Sequence, residues 1–160
     1  MALRKSVSGF SPRPAVGEVF ELTIDGDAPW NDPMALVRGD GYDEKCWEFH
    51  GRMIEGNQTR KFRLETAEGC SSLNQVLEIL QRKGGKISEG QWRVSFAEKY
   101  NLLGVNERVG FPDPSWLDEY REAVFPCLVS SRSLFHHADD IRRGGEGWLW
   151  LVEVPEKSAT

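Results

Sequence analysis

The most apolar run of the chain lies near its C-terminus, at residues 147–154. Its sequence, GWLWLVEV, places bulky apolar side chains at both odd and even positions. A strand with one face in water alternates apolar and polar residues, so this run is typical of a strand that is buried on both faces. We therefore expect the C-terminal strand to lie in the centre of a sheet.

Shorter strands are predicted in the first half of the chain. Apolar and polar residues alternate over residues 18–25, which is typical of a half-buried strand. Residues 34–37 form a further short strand candidate. Residues 46–54 and 59–66 are predicted to pair as a hairpin, because the Gly-Asn dipeptide between them favours a two-residue turn.

Helical signals follow the predicted strands. Ser72 and Gln75 match a capping box, and apolar residues then recur at i, i+3, i+4 and i+7 up to about residue 83. A second capping box, Ser88 with Gln91, precedes an aromatic stripe with a four-residue spacing. Residues 114–124 are a candidate third helix, and an aromatic-anchored loop is the alternative there.

This order of elements predicts the fold class. Because strands cluster before helices, we expect an α+β fold with a mainly antiparallel sheet. Two to three helices should pack on one face of the sheet, and the C-terminal strand should be central in it. We expect residues 1–15 to be a flexible N-terminal segment, residues 16–154 to form one globular domain and residues 155–160 to fray.

The net charge and the cysteine content indicate which partners and which compartment to expect. The chain has 160 residues and a formal net charge of -5, whereas nucleic-acid and anionic-membrane binders usually carry a large basic surface. Nucleic acid and membranes are therefore not expected as partners. Three widely spaced cysteines and the lack of a signal-like leader favour a reducing compartment, so we expect a cytoplasmic protein.

The densest group of potential metal ligands is His136, His137, Asp139 and Asp140. Imidazole and carboxylate groups together suit a divalent transition metal. The alternative is that the carboxylates cap a turn while one histidine forms a hydrogen bond in the interior. The spacing matches no established ligand motif.

A cysteine nucleophile is a weaker hypothesis. Cys127 with His136 or His137 and Asp139 has the residue types that nucleophilic catalysis requires. However, Cys127 lies between Pro126 and apolar residues, which is typical of a buried structural cysteine.

Trp30 and Trp116 both lie in segments rich in proline and aspartate. A tryptophan in such a loop either fills an edge of the core or is exposed to a partner. If both are exposed, then Asp32 and Asp113 belong to the acidic rim of an interface that suits a basic protein.

We therefore expect a non-catalytic protein-binding or accessory protein that uses its aromatic and acidic loops and needs no cofactor. One alternative is a metal-dependent enzyme that uses the cluster at residues 136–140. Another is a domain that binds a small ligand in an aromatic pocket between the sheet and the helices.

Overall fold

The computed structural model describes residues 11–101, 103–141 and 147–155. Within them, the strands are β1 (Phe20–Asp25), β2 (Glu48–Phe49), β3 (Asn57–Glu65), β4 (Arg108–Gly110), β5 (Trp116–Leu117), β6 (Ala123–Val129), β7 (Arg132–His137) and β8 (Trp148–Glu153). The α-helices are α1 (Pro33–Gly39), α2 (Leu73–Arg82) and α3 (Trp92–Lys99), and short 3-10 helices span Pro29–Asn31 and Glu44–Cys46.

All of these strands belong to one sheet, in the order β1-β3-β8-β4-β6-β5-β2, with β7 paired to β6. Strand β8 lies between β3 and β4, so the C-terminal strand is internal, as its sequence indicates. It runs antiparallel to β3 and parallel to β4. The sheet is therefore mixed, and the expectation of a mainly antiparallel sheet is wrong. The parallel pair arises because the chain passes through β5, β6 and β7 before it returns beside β4.

The helices pack on both faces of the sheet, which corrects the expectation of one covered face. Trp150 and Val152 of β8 share a core cluster with helix α2. Leu149 and Leu151, which point the opposite way, share another cluster with helix α3. This arrangement explains why β8 carries apolar side chains from Trp148 to Val152, since each face of the strand meets a different helix.

Helix α1 lies on the same face as α3. It covers a third cluster that contains Trp47, Trp116, Val124 and Phe135. Val124 and Leu128 both lie at even positions of β6, and Leu128 belongs to the α3 cluster. One face of the sheet thus carries α1 and α3, and the other carries α2.

The local patterns predict some elements correctly. Strand β1 has alternating burial, and α2 begins after Ser72, whose side chain accepts from the backbone N–H of Gln75. The α+β class holds in the loose sense that three helices accompany a dominant sheet.

Other predicted elements are wrong, one because of local helix signals and two because of strand pairing over long distances in the chain. Residues 34–37 are helical, because Asp32 caps α1 and Pro33 occupies its first turn. The predicted hairpin does not form, since β3 pairs with β1 and β8 instead of residues 46–54. The candidate third helix is replaced by β5 and β6, which pair with each other at Trp116 and Val124.

Residues 1–10 and 156–160, on which the predictions of flexible ends fall in large part, lie outside the described residues. Within the described part, the backbone N–H of Ser11 donates to Asn101, and Arg13 forms an ion pair with Glu107 at 2.5 Å. The hydrogen bond that the Arg13 guanidinium donates to Glu107 is the largest cause of the lowered pKa of this carboxyl. Within residues 11–101, 103–141 and 147–155, no helix is both long and apolar enough to cross a bilayer.

Candidate functional site

Trp30 is the most exposed of the six tryptophans, with 69% of its surface accessible. It occupies the middle of the 3-10 helix Pro29–Asn31, in the connection between β1 and α1. Pro29 restricts the backbone at the first position of that short helix. We call residues 25–32 the Trp30 loop.

The backbone around Trp30 is fixed by hydrogen bonds within the Trp30 loop. The buried Asn31 donates from its side-chain nitrogen to the backbone oxygen of Asp25 at 2.8 Å. Its backbone N–H donates to the oxygen of Ala28 at 3.0 Å. Asp32 then caps α1 by accepting from the N–H of Met34 at 3.0 Å. The exposed indole is therefore attached to a turn that is held on both sides.

Gln91 connects this loop to a second one. Its fully buried side chain donates to the backbone oxygen of Asn31 and accepts from the N–H of Ile54 at 3.1 Å. Ile54 follows Met53, which is half-exposed. Gln91 thus holds Asn31, which follows the exposed Trp30, and Ile54, which follows the exposed Met53.

The Trp30 loop is acidic. Asp25 and Asp27 are exposed, and Asp32 is half-buried. The carboxylate of Asp25 accepts from the N–H of Asp27 at 3.0 Å, and that of Asp27 accepts from the N–H of Gly56 at 3.1 Å. Because these carboxylates also hold the backbone, their negative charges are fixed in position within the Trp30 loop.

The segment around Trp116 keeps its tryptophan inside the fold, although Pro114, Glu119 and Tyr120 are exposed. Trp116 is fully buried, and its indole N–H donates to the backbone oxygen of Pro33 at 3.1 Å. The structure therefore brings the two predicted loops together, with one tryptophan inside the core and the other outside.

Asp113 is also buried and acts within the fold. It accepts from the N–H of Gly90 at 2.8 Å and from the hydroxyl of Ser115. Burial raises the pKa of Asp113, although these hydrogen bonds oppose the shift. Of the predicted binding residues, Trp30 is exposed, Asp32 is half-buried, and Asp113 and Trp116 belong to the interior.

The predicted metal ligands are dispersed. His136 and His137 are consecutive in β7, so their side chains point to opposite faces of the sheet. His136 packs against Phe125 and Trp148. Burial lowers its pKa and favours the neutral imidazole. Asp139 is exposed and Asp140 is half-buried in the turn that follows.

Only one of these four residues belongs to a compact group of potential ligands. In the part of the chain that the structure describes, the atoms of Asp118, Glu122 and His137 lie within 4.8 Å of one another. Glu122 and His137 also approach at 3.5 Å as an ion pair. The two carboxylates come from a segment that the sequence pattern predicts as helix, which is why their proximity to His137 was not foreseen.

Cys127 is fully buried in the cluster beneath α2. Burial raises the pKa of its thiol to about 12, so it stays protonated at neutral pH. A protonated, enclosed thiol is a poor nucleophile. The structure thus supports the structural role of this cysteine.

A groove of about 1310 Å³ runs beside β1 and β3. At its base Arg60 contacts both Glu89 and Glu153 at 3.0 Å and lies over the Trp92 ring. The charge of the guanidinium is thus balanced by two carboxylates of the same chain.

Gln91 and Met53 are the members of this site that sequence reasoning missed. Gln91 has the position of a capping-box residue, yet its side chain makes no capping bond to α3 because it spans the two loops. Met53 lies in a segment predicted to be a strand, so nothing in the sequence pattern indicated that its side chain would be exposed.

No protein-family model matches the chain, and neither the curated proteins nor the solved structures include one that is significantly similar to it.

Proposed function

We propose that this protein is a non-catalytic binding module that captures a basic protein partner through Trp30 and the surrounding carboxylates. The observation that carries the proposal is the 69% exposure of Trp30 on a turn whose next residue is buried and hydrogen bonded. Tryptophan is among the residues most enriched at the energetic centres of protein interfaces, where it fills a pocket of the partner.

The rigidity of the turn supports this role. Ordering a mobile loop on binding costs free energy, and a preorganised loop avoids that cost. Ala28 precedes the 3-10 helix, Asn31 ends it, and both are buried. Asn31 is held by both Asp25 and Gln91. The indole is thus presented to a partner without a large change in the backbone.

The charges around Trp30 favour a basic partner. Asp25, Asp27 and Asp32 all lie within the Trp30 loop, and the whole chain has a formal charge of -5. Complementary charges at the rim of an interface accelerate association and select among partners, and their effect weakens as salt is added. We therefore expect a partner surface with lysine or arginine around an apolar pocket.

The experiment that tests this proposal compares three immobilised proteins in an extract of the cells that make the chain. These are the wild type, Trp30→Ala and Val105→Ala. Val105 is an exposed apolar residue of the loop between α3 and β4, so its variant is a matched control for lost apolar surface. Quantitative mass spectrometry should find a basic protein that the wild type and Val105→Ala retain and Trp30→Ala loses.

The purified pair then gives the decisive measurement. By calorimetry, Trp30→Ala should weaken binding by about 30-fold or more, which corresponds to the loss of about 2 kcal/mol at an interface hot spot. Asp27→Asn keeps an acceptor oxygen for Gly56 and removes the charge, so it should weaken binding less and reduce the salt dependence. Equal retention of the partner by Trp30→Ala and the wild type would overturn the proposal.

A further inference from the structure

A surface turn brings two carboxylates and one imidazole together. Asp118 and Glu122 lie at the two ends of the turn between β5 and β6, and His137 is the last residue of β7. Their potential ligand atoms lie within 4.8 Å of one another. We call these three residues the His137 cluster. None of them belongs to the Trp30 loop, so an activity of this cluster is independent of the function proposed above.

The register of the sheet explains how these residues meet. His137 pairs with Val124 of β6, and Glu122 lies two residues before Val124, which makes it the diagonal neighbour of His137. The Nδ1 atom of His137 lies 3.5 Å from the Oε1 atom of Glu122, which is long for a hydrogen bond. Two ligands of one tetrahedral zinc ion, each about 2.1 Å from the metal, are separated by about 3.4 Å. The observed distance therefore suits a shared metal ion.

The turn holds the side chain of Asp118 in one orientation. Its Oδ1 atom accepts from the backbone N–H of Tyr120 at 2.9 Å and from that of Glu122 at 3.0 Å. The backbone N–H of Asp118 in turn donates to the oxygen of Glu122 at 3.0 Å. A group that is already fixed loses little conformational entropy when it binds a ligand. The carboxylate of Asp118 is therefore preorganised.

The carboxylate of Asp118 forms no ion pair with a lysine or arginine of the described residues. Only 7% of the surface of Asp118 is accessible, and its Oδ2 atom accepts no hydrogen bond from the described part of the chain. The neighbouring Arg121 contacts Glu48 instead, at 2.9 Å. Buried charges in proteins are paired or coordinate metals. A bound cation supplies the partner that this carboxylate lacks.

We propose that Asp118, Glu122 and His137 bind one zinc ion, with water in the fourth position. Imidazole and carboxylate are both zinc ligands, and two carboxylates balance the double positive charge of the ion. Magnesium and calcium prefer oxygen ligands alone, so the imidazole selects against them. Glu122 and His137 are each more than half exposed, which gives the ion a path from solvent. The bound ion joins the turn to the end of β7.

Calorimetric titration with zinc chloride tests the inference on the full chain, purified without a tag and freed of metal by a chelator. We expect saturable binding of one zinc ion per chain, which magnesium or calcium in large excess does not prevent. Zinc should also raise the Tm, because a ligand that binds only the folded state stabilises it. In NMR spectra, zinc should shift the ring signals of His137, which the spectrum of His137→Gln assigns.

Three variants test the ligands one at a time. Glu122→Gln and His137→Gln change exposed side chains, so the fold should be retained. Asp118→Asn keeps an oxygen that is able to accept from Tyr120 and Glu122 but removes the charge. Each variant should weaken zinc binding by at least about tenfold, since even residues that only orient a metal ligand contribute about 10–100-fold.

Two matched controls lie outside the His137 cluster. Glu119→Gln removes an exposed carboxylate and His50→Gln removes an exposed imidazole, and both should bind zinc as the wild type does. Trp30→Ala should also bind zinc normally. The inference would be overturned by the absence of saturable binding, by unchanged binding in folded Glu122→Gln and His137→Gln, or by loss of binding in His50→Gln. The proposal for Trp30, which is tested by capture of a partner, would stand in each of these cases.

Discussion

The side-chain amide of Gln91 donates a hydrogen bond to the backbone oxygen of Asn31, the residue that follows the exposed Trp30. The same amide accepts from the N–H of Ile54 at 3.1 Å. One fully buried side chain therefore holds two surface loops, each of which presents an apolar residue to solvent. The site depends on a residue that no partner would touch.

Replacement of Gln91 by alanine should destabilise the protein strongly. It leaves the oxygen of Asn31 and the N–H of Ile54 without this partner in the interior, and each unpaired buried group costs about 1–3 kcal/mol. We expect the free energy of unfolding in urea to fall by about 2–4 kcal/mol. Gln81→Ala, at an exposed position of α2, is the matched control and should change it by less than about 0.5 kcal/mol. Equal stability of the two variants would contradict the role of Gln91.

Trp30 and Trp116 should differ sharply in their contribution to stability. Trp116→Ala removes a fully buried ring that contacts Phe49 and Phe135, so it should cost about 3–5 kcal/mol. Trp30→Ala should cost less than about 0.5 kcal/mol, because its ring is already in water. Acrylamide quenching of Trp30→Phe should also fall below that of the wild type. A large loss of stability in Trp30→Ala would show that the indole packs on the fold.

These two tryptophans show where the sequence stops being informative. Both lie between prolines and aspartates, and local patterns treat them alike. They differ because β5 places Trp116 beneath α1, beside residues from β2 and β7. That environment is built from segments far apart in the chain, and no local periodicity encodes it.

The correct predictions, in contrast, depend on residues that are close together in the sequence. Helix α2 follows from its capping residue and its apolar spacing, and β8 follows from an unbroken apolar run. Both signals are local. The hairpin prediction failed because it depended on the neighbours of β3, which pairs with β1 and β8 and not with residues 46–54. The site was only half foreseen for the same reason, since Trp30 was predicted as a binding residue and Gln91 only as a helix cap.

Arg93 and Asp40 form a buried ion pair that should be replaceable by apolar residues. The two nitrogens of Arg93 contact the carboxylate at 2.7 and 2.8 Å, and Arg93 also donates to the oxygen of Leu134. Burial raises the pKa of Asp40 even though Arg93 opposes the shift, so desolvation outweighs the attraction. Arg93→Met alone should cost about 3–5 kcal/mol by leaving a buried charge unpaired.

The double variant Arg93→Met with Asp40→Leu should recover most of that loss, since neither charge then remains in the interior. A double-mutant cycle of unfolding free energies measures the coupling between the two positions. A double variant that stays as unstable as Arg93→Met would show that the ion pair contributes net stability and that the inference from the pKa of Asp40 is wrong.

Asp113 should make the protein less stable as the pH rises. Burial raises the pKa of this carboxyl in the folded state, whereas the unfolded chain has the ordinary value of about 3.9. Below that value both states are protonated and no stability is lost. As the pH rises toward the folded-state pKa, the unfolded state releases its proton first, and the free energy of unfolding falls.

The variant Asp113→Asn isolates this effect. Its side chain keeps an oxygen to accept from the N–H of Gly90, and its amide nitrogen is able to donate to Ser115, but it has no charge to bury. The stability of the variant relative to the wild type should therefore increase as the pH rises above 4 and level off above the folded-state pKa of Asp113, as measured by urea unfolding at each pH. Contributions from Asp40 and from other carboxyls occur in both proteins, so they cancel in the difference.

A difference that stays constant across this range would mean that Asp113 ionises equally easily in the folded and unfolded states. In that case its hydrogen bonds to Gly90 and Ser115 would fully offset the cost of its burial.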